Sequence, residues 1–457
     1  MMFDSLLFDK PVTIFASRVY GRALHYGFLC LAICCLATIC SAQQITQIQR
    51  DQAQDMLKDV AKDVKDNYYD PHLHGVDWDA KVREAKKKID NADSLNRALS
   101  AIAGVFDSLD DPQTRFLPPP RPYVHDYGFH MQMIGDHCYV TRVRPFSDAA
   151  AKGLKPGDEI KTINGYTPTR ESFWRIANLL WILRPQQNLL LNLHGLDGGE
   201  RQINVVPLFR QLPKVKDLDA MNRFDFYREW LDREHSMGVR YANSDYDLLI
   251  IKLQSFVPFS SETDDIVSKM QGYKSVIFDL RGDQGGREDM VQSLLGAVFA
   301  HEVEIGKRVG RSKTIPMETA HHFHRFTGKL AVLVDDQSAG VSEIFARAVQ
   351  LEKRGVVVGD RTKGAVMEAE FYPHITDGTT EDSILAYGAE VTDADIIMSD
   401  GHSLEHIGVE PDLKVLPTAS DLASGRDPAL AKAAEILSVT MTPEEAGKLF
   451  PYEWPKD

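Results

Sequence analysis

At 457 residues the chain exceeds one ordinary domain, so two or three are expected. Its 43% hydrophobic and 26% charged residues describe a globular, soluble protein without low-complexity tracts. The net charge of -14 excludes the concentrated basic surface that a nucleic-acid partner requires.

Residues 1–42 differ from the rest. Arg18 and Arg22 precede GFLCLAICCLATICSA, an apolar run from Gly27 to Ala42. A membrane span needs about 20 residues, and this run is shorter. Basic residues, a short apolar core and the small residues Ser41 and Ala42 describe a secretory signal peptide, with Gln43 the first mature residue. The alternative is an uncleaved anchor facing outward. Either reading sends the chain out of the cytoplasm, to a periplasmic or extracellular place. Four of the five cysteines lie in this leader, leaving Cys138 alone and no internal disulfide.

From 43 to 120 the pattern is helical. Met56, Leu57, Val60 and Val64 recur at helical steps, and SLNRALSAIAGVFDSL repeats the pattern with Ser94 as its N-cap. FLPPPRP then reads as a linker.

Residues 121–210 change to short strands: HCYVTRV alternates, SDAAAKGL is a short helix, and Asn164-Gly165 marks a tight turn. ESFWRIANLLWIL reads as a helix with Trp174 and Trp181 on its buried face. Strands on either side of GLDGGE form a hairpin. Gly153-Leu154-Lys155-Pro156-Gly157-Asp158-Glu159-Ile160 and Ile163-Asn164-Gly165 make this segment resemble a PDZ domain in the permuted form found in bacterial proteases. Such domains add a peptide as an extra strand and hold its C-terminal carboxylate on backbone amides. The resemblance implies that this loop is Tyr127-Gly128-Phe129-His130.

Residues 211–440 alternate strands and helices. YDLLIIKL, SVIFDL, LAVLVD and GVVVGD are short apolar runs of the kind buried in a largely parallel sheet, so the core is α/β. Leu208 to Val215 is the hinge leading into it, and 441–457 form a C-terminal tail. His321, His322 and His324 fall in one short stretch, but a structural zinc site wants four ligands and no cysteine is near. A solvated loop is expected there, with no metal.

DDQSAGVSEIF, residues 335–345, looks like a serine nucleophile on a strand-to-helix turn and offers Ser338 and Ser342. It lies between FDLRGDQGG (278–286) and DGHSLEHIGVEPD (400–412). Arg281, Gly285-Gly286, Ser342-Glu343, Arg354, Gly359, Thr362, Gly364 and Gly408-Val409-Glu410-Pro411-Asp412 make the chain resemble the carboxy-terminal-processing, or tail-specific, serine protease family. The resemblance spans nearly the whole mature chain. It implies a serine nucleophile activated by lysine, protein or peptide C-termini as partners, and no cofactor.

Carried onto this sequence, the family pattern puts the nucleophile at Gly340, the lysine at Ala365, and the histidine base of a related branch at Gln113. None of these side chains attacks a carbonyl or accepts a proton. The oxyanion donors would be the amides of Gly285 or Gly286 and of Val341, and backbone donors outlast the loss of side chains.

Two readings follow. In the first, the protein is an exported pseudoprotease that captures C-terminal or unfolded segments. In the second, it is an active endopeptidase using a relocated pair, Ser338 and Lys363, which keeps the 25-residue separation of Gly340 and Ala365. Two extended residues displace a side chain by about 6 to 7 Å, which counts against the second reading. Ser342 reads as the N-cap or a first-turn hydroxyl of the following helix. The oligomeric state is not encoded in any of these patterns.

Overall fold

A computed structural model of the chain describes residues 44–121, 123–211, 238–244, 247–256, 260–323, 325–377 and 384–454. The leader, His324 and most of the hinge after Gln211 lie outside the described residues. Among the described residues no helix is long and apolar enough to cross a membrane.

Helix Gln47–Asn67 starts at a reciprocal cap. Thr46 Oγ1 accepts from the Gln49 amide (3.2 Å) while Gln49 Oε1 accepts from the Thr46 amide (3.0 Å). Met56, Leu57, Val60 and Val64 are buried, as the periodicity requires. Helices Trp78–Asp90 and Leu95–Phe106 pack beside it; Ser94 holds the N-cap position, but its hydroxyl makes no capping bond. FLPPPRP is only partly a linker. Arg115–Leu117 forms β1, and Phe116 enters the core of the three helices together with Tyr387, Ala389 and Val391. Burying that ring outweighs the irregularity of the prolines that follow.

Next come β2 (Tyr123–Asp126), β3 (Phe129–Ile134), β4 (His137–Val143), β5 (Glu159–Ile163), β6 (Leu189–His194), β7 (Glu200–Val205) and β8 (Leu208–Gln211). β3 to β7 form one antiparallel sheet in chain order, so β3 is an edge strand, while β2 and β8 pair as a separate ribbon. Asn164 and Gly165 both take positive φ, as a tight hairpin turn demands. The ESFWRIANLLWIL helix is α over Phe173–Ala177 and a π turn over Asn178–Leu183. Its buried face is Ile176, Leu180 and Leu183, and both tryptophans are only half-buried. Trp181 packs edge-on to Tyr127, and Trp174 lies under the Arg175 guanidinium. Indoles commonly stay at such rims, with one end apolar and one polar.

The four apolar runs become β10 (Leu248–Leu253), β11 (Ser275–Asp279), β14 (Lys329–Val334) and β15 (Val356–Gly359), with β9 (Val239–Ser244) and β18 (Leu413–Lys414) outside them. The order is β18-β15-β14-β11-β10-β9, parallel except for β9. Helices cover both faces of this sheet, which is why its strands are apolar throughout.

The simple strand-helix alternation expected for the core fails at a second sheet. β12 (Glu304–Gly310), β13 (Thr314–Glu318), β16 (Glu368–Asp377) and β17 (Ile384–Met398) are antiparallel. β17 pairs with β16 along one side and with β1 and then β12 along the other. This strand joins the N-terminal helices to the core.

The small sheet is fastened to the core by polar contacts. Arg170 donates to the carbonyls of Gly135 (2.7 Å) and Arg361 (3.0 Å) and pairs with Asp360. The Gly135 amide donates to Asp360 (2.8 Å), the Met133 amide to Asp336 (3.1 Å), and the Gln132 side chain to Asp335 (2.7 Å).

Because Phe116 is shared by β1 and the helices, Phe116→Ala is expected to lower stability by about 3–5 kcal/mol, read from the denaturant midpoint. A loss below about 1 kcal/mol would mean that the helices do not depend on this strand.

Candidate active site

Two turns meet at the carboxyl ends of the parallel strands, where open α/β sheets carry their sites. The first leaves β11. Burial opposes ionisation of Asp279, but Arg281 and Lys252 hold its carboxyl well below the usual range. Arg281 also grips Asp427 through two nitrogens, at 2.9 and 2.8 Å, and this fixes the start of the turn. Further along, Gly286 has φ +147°, and a Cβ there would fall 2.4 Å from the Phe256 backbone. The chain passes Phe256 closely because the Phe256 amide donates to the Gly285 carbonyl (2.9 Å) and the Arg287 amide to the Phe256 carbonyl (2.7 Å).

The second turn leaves β14 and enters helix Val341–Leu351 through Gly340, at φ 59° and ψ −126°. A side chain at this position would be strained but not crowded: a Cβ would lie 3.4 Å from Gly285 Cα and 3.8 Å or more from anything else. The Gly340 amide donates to the Ala365 carbonyl (2.8 Å), and Gln113 Nε2 donates to the same oxygen (3.0 Å). Gln113, Gly340 and Ala365, from three distant parts of the chain, therefore meet at one atom.

Glu343 binds these parts together. It is fully buried, and its carboxylate accepts from Thr362 Oγ1 (2.5 Å) and the amides of Gly364 (2.7 Å), Ala365 (2.9 Å) and Gly340 (3.2 Å). Burial still leaves its pKa above the ordinary value. Glu405 holds the next stretch by accepting from Val366 (2.8 Å) and Met367 (3.2 Å), and burial, then the neighbouring Asp111, push it up to about 8.

The two serines have separate surroundings. Ser338 is fully buried; its hydroxyl donates to the Leu280 carbonyl (2.8 Å) and accepts from the Asp335 amide (3.0 Å). Lys363 contributes its backbone amide to the Ser338 carbonyl (3.0 Å), and no hydrogen bond joins the two side chains. Lys363 is exposed, yet the protein around its amine pushes its pKa down, with Arg115 adding to the effect. With water at hand, that shift is smaller than for a sealed lysine. Ser342 is fully buried in the first helical turn, not capping it; its hydroxyl lies beside Asp283 without good hydrogen-bond geometry.

Of the three amides expected to hold an oxyanion, that of Gly285 donates to Asp283 Oδ1 (2.8 Å). The amides of Gly286 and Val341 have no acceptor among the described residues, and Gly286 is exposed. Asp283, which orients Gly285, is pushed up to about 8 by burial. Sequence reading missed both Asp283 and Glu405, because nothing in RGDQGG or SLEHIG separates a buried acid from a solvated one.

In the small sheet, Gly128 has φ +72°, and its amide donates to Asp126 Oδ1 (2.8 Å). Tyr127 Oη donates to the Gln186 carbonyl (2.6 Å) and accepts from the Gln186 amide (2.9 Å). Phe129 is buried, and His130 faces Arg142 across the β3–β4 pair. His321 pairs with Glu302 and His322 with Ser293. Among the described residues no group of three metal-ligating side chains converges.

Residues 247–415 match the model of peptidase family S41, and residues 49–94 match the tricorn protease C1 domain. The core belongs to peptidase family S41. A chloroplastic carboxyl-terminal-processing peptidase 3 of Arabidopsis thaliana is 23% identical over 401 residues, covering 82% of this chain and 70% of the relative. The tail-specific protease of Haemophilus influenzae is 24% identical over 286 residues, covering 58% of this chain and 39% of that one. A chloroplastic C-terminal processing peptidase of Tetradesmus obliquus is 24% identical, covering 77% and 75%. Mature CPAF complexed with lactacystin superposes with a TM-score of 0.59 at 14% identity, over 86% of this chain and 98% of that one. Mature CPAF alone gives 0.59 at 13%, over 82% and 95%. At those identities the likeness establishes the fold.

In the S41 core, burial pushes Asp283 and Glu405 up to about 8, so both hold a proton at pH 7. A carboxyl whose folded pKa lies above its unfolded value binds its proton more tightly when folded. Its stabilisation is complete below the unfolded pKa near 4 and is lost as pH rises towards the folded value. Stability is therefore expected to decline between about pH 5 and pH 8, by up to about 1.4 kcal/mol per unit for each such group. Asp283→Asn should decline less steeply in denaturant titrations across that window, and parallel slopes would show that Asp283 does not carry the proton.

Proposed function

We propose that this chain is a catalytically silent member of peptidase family S41 that holds C-terminal or unfolded peptide segments. The reading rests on one observation: Gln113, Gly340 and Ala365 meet at the Ala365 carbonyl, where the family pattern calls for base and nucleophile. An amide, a hydrogen and a methyl group supply neither. The fold around them is intact, and the unoccupied amides of Gly286 and Val341 suit a peptide carbonyl or carboxylate.

The domain scheme of the sequence fits this reading: leader 1–42, helical segment 43–120, PDZ domain 121–210, S41 core 211–440 and tail 441–457. β3 is an edge strand that begins at the Tyr127–His130 loop, as strand addition requires. An added strand would meet Asp336 and Asp360 at the far end of β3, where these carboxyls take the amides of Met133 and Gly135. Asp126 already fills the Gly128 amide, so the terminal carboxylate would rely on the other loop amides or displace Asp126. The leader, cleaved or retained as an outward-facing anchor, would place this activity outside the cytoplasm.

The alternative is an endopeptidase using Ser338 and Lys363. It draws on the lowered pKa of Lys363, which a lysine base needs. The Ser338 hydroxyl, engaged on both sides by main chain, supports a structural role instead.

Purified residues 43–457 should bind a peptide with an apolar C-terminus saturably and leave it uncut, as followed by mass spectrometry. Cleavage that disappears in Ser338→Ala would replace this proposal with the relocated pair.

A further inference from the structure

The segment after helix Pro443–Ala446 crosses from the core to the small sheet and ends in aromatic residues laid on the β3–β4 pair. Phe450 stays with the core, under the Arg240 guanidinium, and Arg240 Nη2 donates to the Pro451 carbonyl (3.1 Å). Tyr452 and Trp454 then sit on the small sheet. Tyr452 Oη is 2.9 Å from His130 Nε2, and Trp454 stacks on the His130 ring at 4.9 Å between centroids. Arg142, opposite His130 in the register, lies over the Tyr452 ring at 4.5 Å, and Arg144 over Trp454 at 5.5 Å. The two rings also meet each other edge to face at 5.1 Å.

We infer that the His130–Arg142–Arg144 face is a receptor for an aromatic-x-aromatic peptide segment, occupied in cis by residues 450–454. Each element of the site matches that chemistry. Two guanidinium groups offer cation–π contacts, and an imidazole offers both a stacking face and a hydrogen bond. The i, i+2 spacing of Tyr452 and Trp454 puts both rings on one side of a non-helical segment. His130 is also the last residue of the proposed carboxylate-binding loop, so a seated strap covers the entrance used by an incoming peptide. The inference thus rests on the peptide-holding function proposed above. It adds that recognition of client segments competes with the chain's own residues 450–454.

The test uses the full mature chain and a fluorescein-labelled peptide of sequence FPYEW, read by anisotropy. Tyr452→Ala/Trp454→Ala should bind this peptide saturably, while the wild-type chain binds it at least about tenfold more weakly because its own strap competes. Adding His130→Ala to the double variant should weaken binding about tenfold, through loss of the stack and the hydrogen bond. A double variant that unfolds cooperatively yet ignores the peptide overturns the inference. If the double variant does not fold, Trp454→Ala alone is held to the same outcomes. A second peptide, with an apolar and non-aromatic C-terminus, separates this inference from the function it rests on. Equal affinity of that peptide for wild type and double variant removes the competition and leaves peptide holding intact. Binding of FPYEW to the double variant, with no binding of the second peptide to either chain, keeps the strap and removes the broader function.

Discussion

The buried carboxylate of Glu343 is the constraint on which the site region depends. Four donors converge on it from two segments, the Gly340 turn and residues 362–365. A carboxylate removed from water is costly unless its lone pairs are filled, so these amides are held in place by the acid as much as the acid by them. The consequence is a main-chain frame that does not depend on the side chains at 340 and 365. Both residues are fixed through backbone atoms, the amide of Gly340 and the amide and carbonyl of Ala365. The bonds of the frame are thus main-chain bonds, although the φ of 59° at Gly340 would strain any side chain placed there. On the proposed reading, that frame lets the architecture of a peptidase persist with glycine and alanine at the nucleophile and base positions.

The parts of the fold legible in the sequence are those where one physical effect dominates. β10, β11, β14 and β15 are apolar because both faces of the sheet are covered, and helix Gln47–Asn67 shows its buried stripe directly. β17 is harder to see. Tyr387, Ala389 and Val391 do alternate onto the helices, but Gly388 and Glu390, which pairs with the half-buried Arg115, interrupt the strand signal. Its partner β16 carries Pro373 opposite Gly388, a combination that single-sequence patterns associate with turns. The Phe-Leu of FLPPPRP was masked in the same way, since its strand character comes only from pairing with β17.

At the site, counting residues from Glu343 names Gly340 and Ala365 as the family positions, and the structure brings these two together with Gln113. What counting could not supply is the direction of each hydroxyl and amide. Ser338 and Ser342 look equally available in the sequence, yet one is tied to Leu280 and the other is buried against Asp283. Gly285 and Gly286 look equivalent as donors, yet the acid two residues earlier takes the amide of the first. Such distinctions depend on tertiary hydrogen bonds, which residue spacing does not record.

The same buried acids bear on the proposal of a silent site. Glu343 and Glu405 both bind main-chain amides next to residue 365, and both have raised pKa values with burial as the first cause. Lys363 favours their charged forms but is itself exposed. A lysine at 365 would set an ammonium beside these groups and lower their pKa values, and their charge would raise its own. With alanine at that position, the acids lack this counter-charge, and Glu405 keeps its proton at neutral pH. On the proposed reading, an alanine at the base position shifts the protonation of its neighbours, and catalysis would require more than a serine at 340. Glu405 would have to ionise, while the new lysine would have to stay neutral enough to accept a proton from that serine.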